Sequence, residues 1–509
     1  MRSIRSVCAA ALSLLLLAAP ARATWSIILV DTRTGEIAIG SATCLNAFDL
    51  RVALPIVRVG RGAAAAQAAV PGTITNRQLI WGLLREGVTP ANILAALSRR
   101  DPGHQSRQYG IVDVTGAAAT FTGAATAAWA GGVTGSFGTV HYAIQGNILT
   151  GAPVVSAAEQ AVINTAGDLA EKLMAGMQAA RGMGGDGRCS CLTGSATSCG
   201  APPASFRKSA HIGFVIVARQ GDQDGTCSSV GTGCASGSYW LNLNIAFQAT
   251  SRPDPVAQLQ EQFDLWRPTL NGRPDHHLST VDLDPPTLVP DGSATTNATV
   301  TLRDWRGTPL SAGGATVTVA VEPSSTATVS VGAVTDNGDG TYSFPVTAGT
   351  GAGAADLRIV ADDGQGPVLL SPRTAVAVRD DPLWGDTGRM PAAAGGTVSW
   401  RLDAGTVNAG RFYALAASGS GTAPGIVLGA SVLPLNPDPL FFGSLELANS
   451  SVFVNTAGQL DAMGRAQAGF VAPPGSALRL IVGADLHFAY ALLDPFDLAS
   501  NPIKVTVFP

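Results

Sequence analysis

The sequence predicts a multidomain protein in which an N-terminal α+β domain is followed by two all-β sandwich domains. Strand and helix patterns are interleaved up to about residue 266, and the helix pattern then disappears. Glycine (60) and proline (31) abound in a chain that is only 13% charged, a composition rich in turns and strands. The length, 509 residues with 46% hydrophobic, is enough for several packed cores.

Residues 1–23 read as a signal peptide. Arg2 and Arg5 precede the apolar run VCAAALSLLLLAAP, and Ala21 and Ala23 occupy the small-residue positions of a cleavage site. The run is too short for a membrane-spanning helix, and no lipobox precedes Cys8. Cleavage after Ala23 predicts a secreted, periplasmic or extracellular protein beginning at Thr24.

The domain 24–270 opens with the buried strand WSIILVD, joined through the turn DTRTG to GEIAIGSAT. YGIVDVTGAAATFTG reads as a second hairpin. The pattern predicts helices over NRQLIWGLLREG and over TPANILAALSRRD, with Thr89 as N-cap and Pro90 in the first turn. A longer helix is expected from Ser156 to about Arg181, capped by Ser156 and Glu159. HIGFVIVAR and YWLNLNIAF read as strands and DPVAQLQEQFDLWRP as an amphipathic helix. The order is α+β or layered, and not doubly wound. The polar, proline-bearing stretch at 271–285 reads as a linker. NATVTLRD, ATVTVAVEP, GTYSFPVTAG and ADLRIVADD alternate with period two, so 286–380 reads as an Ig-like β-sandwich. GGTVSWRLDAG, GRFYALAASG and IKVTVF place a C-terminal all-β domain at 381–509. DNGDGTY, residues 336–342, lacks the spaced carboxylates of a calcium loop and reads as a hairpin turn.

A net charge of −4 spread along the chain gives no footprint for nucleic acid or an anionic membrane, and no membrane span is expected in the mature chain. The motifs G-x-S-x-G, H-E-x-x-H and the P-loop do not occur, so no metal or cofactor is expected. Once Cys8 leaves with the leader, Cys44, Cys189, Cys191, Cys199, Cys227 and Cys234 form an even set suited to disulfides in an oxidising compartment, with open connectivity.

One chemistry does emerge. A threonine hydroxyl needs a base beside it, and an N-terminal threonine carries one in its α-amine, whose ordinary pKa is about 7.7 to 8.0. Cleavage at Ala23 would create nucleophile and base together at Thr24. The alternative is that Thr24 merely begins an edge strand.

The stretches TWSIILVDTRTGEIAIGSAT, AAAAQAAVPG, RQYGIVDVTGAAATFTG, YAIQGNIL, GGDGRCSC and SAHIGFVIVAR resemble, in order, the domain of unknown function 1028 family. That family is classed with the N-terminal nucleophile (Ntn) hydrolase-like fold. The resemblance implies a four-layer αββα sandwich in which a strand presents the N-terminal residue to a cleft. Around Thr24 it makes the Gly146 amide and Asn147 candidates for an oxyanion hole, Asp186 for orienting the α-ammonium, and Arg188 for a substrate carboxylate. Ser26 should share a face with Thr24, and Gln67 either satisfies backbone groups or touches substrate. A Gly-Asn turn and a structural Asp-Arg pair are the alternatives for Gly146–Asn147 and for Asp186–Arg188. The stretches NATVTLRDWRGTPLSAGGATVTV and VTDNGDGTYSFPVTAG resemble bacterial Ig-like domains of the invasin type. Two functions follow. One is an exported amidase-type hydrolase acting on a small-molecule or peptide amide. The other is a noncatalytic surface protein that uses the same fold to bind a cell-surface or matrix partner.

Overall fold

The computed structural model describes residues 24–69, 72–191 and 194–509. The leader and its cleavage site lie outside the described residues. The chain divides into two compact units between Thr269 and Leu270.

In the first unit the strands are β1 (Thr24–Asp31), β2 (Glu36–Thr43), β3 (Pro55–Arg58), β4 (Gly62–Ala68), β5 (Arg107–Asp113), β6 (Ala118–Thr122), β7 (Ala130–Phe137), β8 (Val140–Asn147), β9 (Ile212–Ala218) and β10 (Leu241–Ile245). The helices are α1 (Leu50–Ala53), α2 (Thr75–Arg85), α3 (Pro90–Arg100), α4 (Pro153–Asn164), α5 (Leu169–Gly182), α6 (Gly187–Ser190) and α7 (Pro255–Trp266). One sheet has the order β10-β9-β2-β1-β8-β7 and the other β3-β4-β5-β6. The β1–β2 hairpin turns where Asp31 accepts a bond from the Arg33 amide at 2.9 Å.

Period-two burial on both faces of these strands builds three stacked cores. Trp25, Ile27 and Leu29 pack with Leu173, Met177 and Val256 of the helices α5 and α7. Ile28, Val30, Ile37, Ile39, Ala63, Ala65 and Val112 fill the space between the sheets. Ile56, Ala64, Tyr109 and Ile111 pack with Ile80 and Leu97 of α2 and α3. Helices α5 and α7 thus pack on one sheet and α2 and α3 on the other.

The single helix expected from Ser156 to Arg181 is two helices. Gly167 has φ +98°, a conformation that stops a helix, and Asp168 then caps α5 by accepting from the Glu171 amide at 3.0 Å. Ser156 lies inside α4 and caps nothing, while Glu159 accepts from the Tyr142 hydroxyl at 2.7 Å.

In the second unit, strands 280–284, 295–301, 341–348 and 329–331 form one sheet. Strands 287–288, 374–378, 353–362 and 316–321 form another, and Val300, Phe344, Ile359 and Val376 lie in the core of this sandwich. The expected linker at 271–285 needs correction. Residues 280–284 pair with 297–301 as an edge strand, because Val281 and Leu283 alternate inward. Residues 336–342 form the expected hairpin turn, with Asp336 opposite Tyr342. The C-terminal module is β-rich around Trp400, Phe488 and Tyr490 but not all-β. A helix spans Pro439–Glu446, started by Pro439 and by Asp438, which accepts from the Phe441 amide at 2.8 Å. Phe441 anchors it on Ala416 and Ala489. Among the described residues no helix is long and apolar enough to cross a membrane.

Candidate functional site

The inter-sheet layer changes character at one end. Reading along the positions that face it, β1 runs Val30-Ile28-Ser26-Thr24, β2 Ile37-Ile39-Ser41-Thr43, β4 Ala63-Ala65-Gln67, β5 Val112-Gly110-Gln108 and β8 Ala143-Gln145-Asn147. Register gathers the polar ends: Ser26 lies opposite both Ser41 and Gln145, Thr24 opposite Asn147, and Gln67 opposite Gln108. All of these polar residues are buried, Thr24 to 3% exposure. Buried polar groups need partners, so the bonds define the site.

Gln67 is the hub. Its Oε1 accepts from the Ser26 hydroxyl at 2.6 Å, and its Nε2 donates to the Thr24 carbonyl and to Gln108 Oε1, both at 2.9 Å. Gln108 Nε2 in turn donates to the Gly146 carbonyl at 2.8 Å and to the Thr122 hydroxyl at 2.9 Å. Ser41 Oγ sits 3.0 Å from Ser26 and donates to the Trp25 carbonyl at 2.7 Å. This relay links β1, β2, β4, β5 and β8 and fixes the backbone at Thr24. Gln67 thus satisfies a backbone group, the Thr24 carbonyl.

Two strands leave this layer through left-handed residues. Ala68, after Gln67, has φ +71°, and Ile148, after Asn147, has φ +53°. For a β-branched residue such a conformation is rare and costs on the order of 1–3 kcal/mol, so the surrounding bonds hold it. The Ile148 carbonyl accepts from the Gly187 amide at 3.0 Å.

Asp186 and Arg188 lie beside this end and neutralise each other. The fully buried Asp186 carboxylate accepts from Arg188 Nη2 at 2.8 Å, from Arg188 Nε at 3.1 Å and from the Cys44 amide at 2.6 Å. It also caps α6 through the Arg188 amide. Arg188 reaches the Thr43 hydroxyl at 3.5 Å. The two side chains form an ion pair at this end of the layer, with Asp186 buried and Arg188 partly exposed. Gly146 sits inside its sheet opposite Trp25 and Gly131, with its carbonyl bonded to Gln108, and the strand ends at Asn147. A side chain there would meet Leu149 at 2.5 Å.

The six cysteines pair as Cys44–Cys189, Cys191–Cys199 and Cys227–Cys234. The first ties the end of β2 to α6, beside Asp186. Ligand atoms of Cys44, Cys189 and His211 lie within 4.8 Å of one another, but these two sulfurs are bonded together and offer no thiolate to a metal. Sequence reasoning missed Ser41, Thr43, Gln108 and Gln145. Their signal was a polar residue at the last one or two inward positions of an otherwise aliphatic strand.

Residues 24–197 match the model of DUF1028, a family of unknown function, and residues 275–368 match invasin domain 3. The N-terminal unit carries a DUF1028 domain. An Ig-like invasin domain follows it. Among solved structures, a DUF1028-family protein from Silicibacter pomeroyi is 21% identical, with 48% of this chain and 88% of that chain covered and a TM-score of 0.35. The adhesin InvE of Yersinia pseudotuberculosis is 20% identical over 45% of this chain and 58% of its own, with a TM-score of 0.17. Invasin, a bacterial integrin-binding protein, is 14% identical over 59% and 46%, with a TM-score of 0.19. No curated protein matches the chain.

Proposed function

We propose that this protein is a noncatalytic extracytoplasmic binding protein of a bacterial surface, in which the DUF1028 domain is the binding module and the β-rich unit presents it. The observation that carries this reading is the invasin domain 3 directly behind the DUF1028 domain. Three disulfides support an oxidising, extracytoplasmic location. At the polar end of the inter-sheet layer, Ser26, Gln67 and Gln108 bond one another, and Asp186 and Arg188 neutralise each other, which supports a rigid recognition surface over a set of poised catalytic groups.

A second reading has one observation in its favour. Thr24 begins a buried strand at the polar end of two face-to-face sheets, with its carbonyl held by Gln67, as an Ntn-type amidohydrolase would require. There the Thr24 hydroxyl attacks an amide carbonyl while the α-amine, freed by removal of residues 1–23, takes the proton.

The exported chain, its N-terminus sequenced, is incubated with a panel of acyl-amides and peptides and with an electrophile that traps N-terminal threonine. The binding reading expects no turnover and no adduct. Hydrolysis lost in Thr24→Ala, retained in part by Thr24→Ser and lost again when one residue precedes Thr24 would overturn it in favour of the hydrolase.

A further inference from the structure

Arg77, in the first turn of α2, is 4% exposed and has no carboxylate partner among the described residues, and the undescribed residues contain no Asp or Glu. Its Nη1 donates to the Val52 carbonyl at 2.5 Å, while its Nε has no partner. Burial pushes its pKa below the ordinary arginine value. An uncompensated buried guanidinium is costly, so an anion that pairs with it would be bound favourably.

The surroundings supply that place. Arg77 lines a small pocket with Ala66, Gln67, Thr73, Asn76, Arg107 and Tyr109, which has enclosed room for about one water. Arg107 is paired with Asp101 at 2.8 Å, so Arg77 leaves the pocket one positive charge in excess. The Tyr109 hydroxyl accepts from Asn76 at 2.9 Å, which leaves its own proton to donate. Burial raises its pKa to about 12, which keeps that proton in place. At the start of α2, Ile74 offers no side-chain cap to the first-turn amides. Gln67 forms the wall shared with the polar layer, since the same side chain holds the Thr24 carbonyl.

We propose that this pocket binds a carboxylate group of the DUF1028 domain's ligand, with Arg77 as the charge partner and the Tyr109 hydroxyl as a second donor. Arg188 does not serve, because Asp186 already neutralises it. One guanidinium and one hydroxyl match the two oxygens of a planar carboxylate. The inference rests on the binding reading above but is measured apart from it, because acetate affinity does not depend on the outcome of the Thr24 trap.

The test titrates the full exported chain with sodium acetate, and separately with inorganic phosphate, by calorimetry at constant ionic strength. The expected result is saturable acetate binding that is weakened about ten-fold or more in Arg77→Met. It is weakened less in Tyr109→Phe and unchanged in Arg85→Met, an exposed arginine on the same helix. Should Arg77→Met not fold, Arg77→Lys, which keeps the charge without the planar fork, is expected to weaken acetate several-fold. Absence of saturable acetate binding to the wild type, preference for phosphate over acetate, or unaltered affinity in the Arg77 and Tyr109 variants would overturn the proposal.

Discussion

The two sandwiches handle their inward-facing positions differently. In the Ig-like module these positions are apolar with few exceptions: Ala298 and Val300 on one strand, where Thr296 at its end is buried and bonded to the Pro285 carbonyl, Phe344, Val346 and Ala348 on its neighbour, and Leu357, Ile359 and Ala361 across the core. In the DUF1028 domain five strands begin in the same way and then change together to Thr, Ser, Gln and Asn at one end. A core with so few polar groups is held mainly by packing and makes a scaffold. A core that turns polar on five strands carries a cost for each amide and hydroxyl it buries unpaired, and such an arrangement marks a candidate site.

The largest effect that would break the comparison is in the scaffold. Phe344→Ala removes a fully packed ring and is expected to cost about 3–5 kcal/mol, read as a lowered calorimetric transition of the second unit with the first unit's transition unmoved. A concerted shift of both transitions would refute the division. Next comes the covalent tie at the polar end. Replacing Cys44 and Cys189 together by alanine removes a bridge that closes 145 residues, and should destabilise the first unit by about 2–4 kcal/mol in urea. Gln67→Ala is smaller, at about 1–3 kcal/mol, because it leaves the Ser26 hydroxyl, the Thr24 carbonyl and Gln108 short of a partner. Loss of no more stability than an exposed Gln→Ala change would show that the relay is not a unit.

The smallest effect has the opposite sense. Gln145 is fully buried between the sheets, and among the described residues neither of its amide atoms has a partner. It lies over Gly110, where a Cβ would come within 2.1 Å of its Oε1. Gln145→Met keeps the length and removes the unmet polar atoms, so stability is expected within about 1 kcal/mol of wild type or above it. A loss comparable with that of Gln67→Ala would place Gln145 in the relay.

Much of this was legible in the residues. The alternation in TWSIILVD and GEIAIGSAT specifies a hairpin with Thr24 and Ser26 on one face, since a side-chain period of two leaves no other register that buries Ile28 and Val30 together. The six exported cysteines could be read as disulfides, but not their pairing, because Cys44 meets Cys189 only through tertiary folding. The break between α4 and α5 was hidden because Gly167 and Asp168 stop a helix only through a left-handed residue and a cap, and the apolar spacing on either side continues. The strand 280–284 was hidden by the prolines that follow it, and the helix 439–446 by its β-rich surroundings. Arg77 carried no signal in one dimension. Its significance lies in having no carboxylate partner among the described residues, which only the folded chain reveals.

The comparison is tested most directly by hydrogen exchange on the full exported chain with and without sodium acetate at constant ionic strength. The account predicts new protection in peptides covering 24–31, 62–68 and 75–85 and none in those covering 295–301 and 341–348. Protection in both units alike, or in neither, would contradict it.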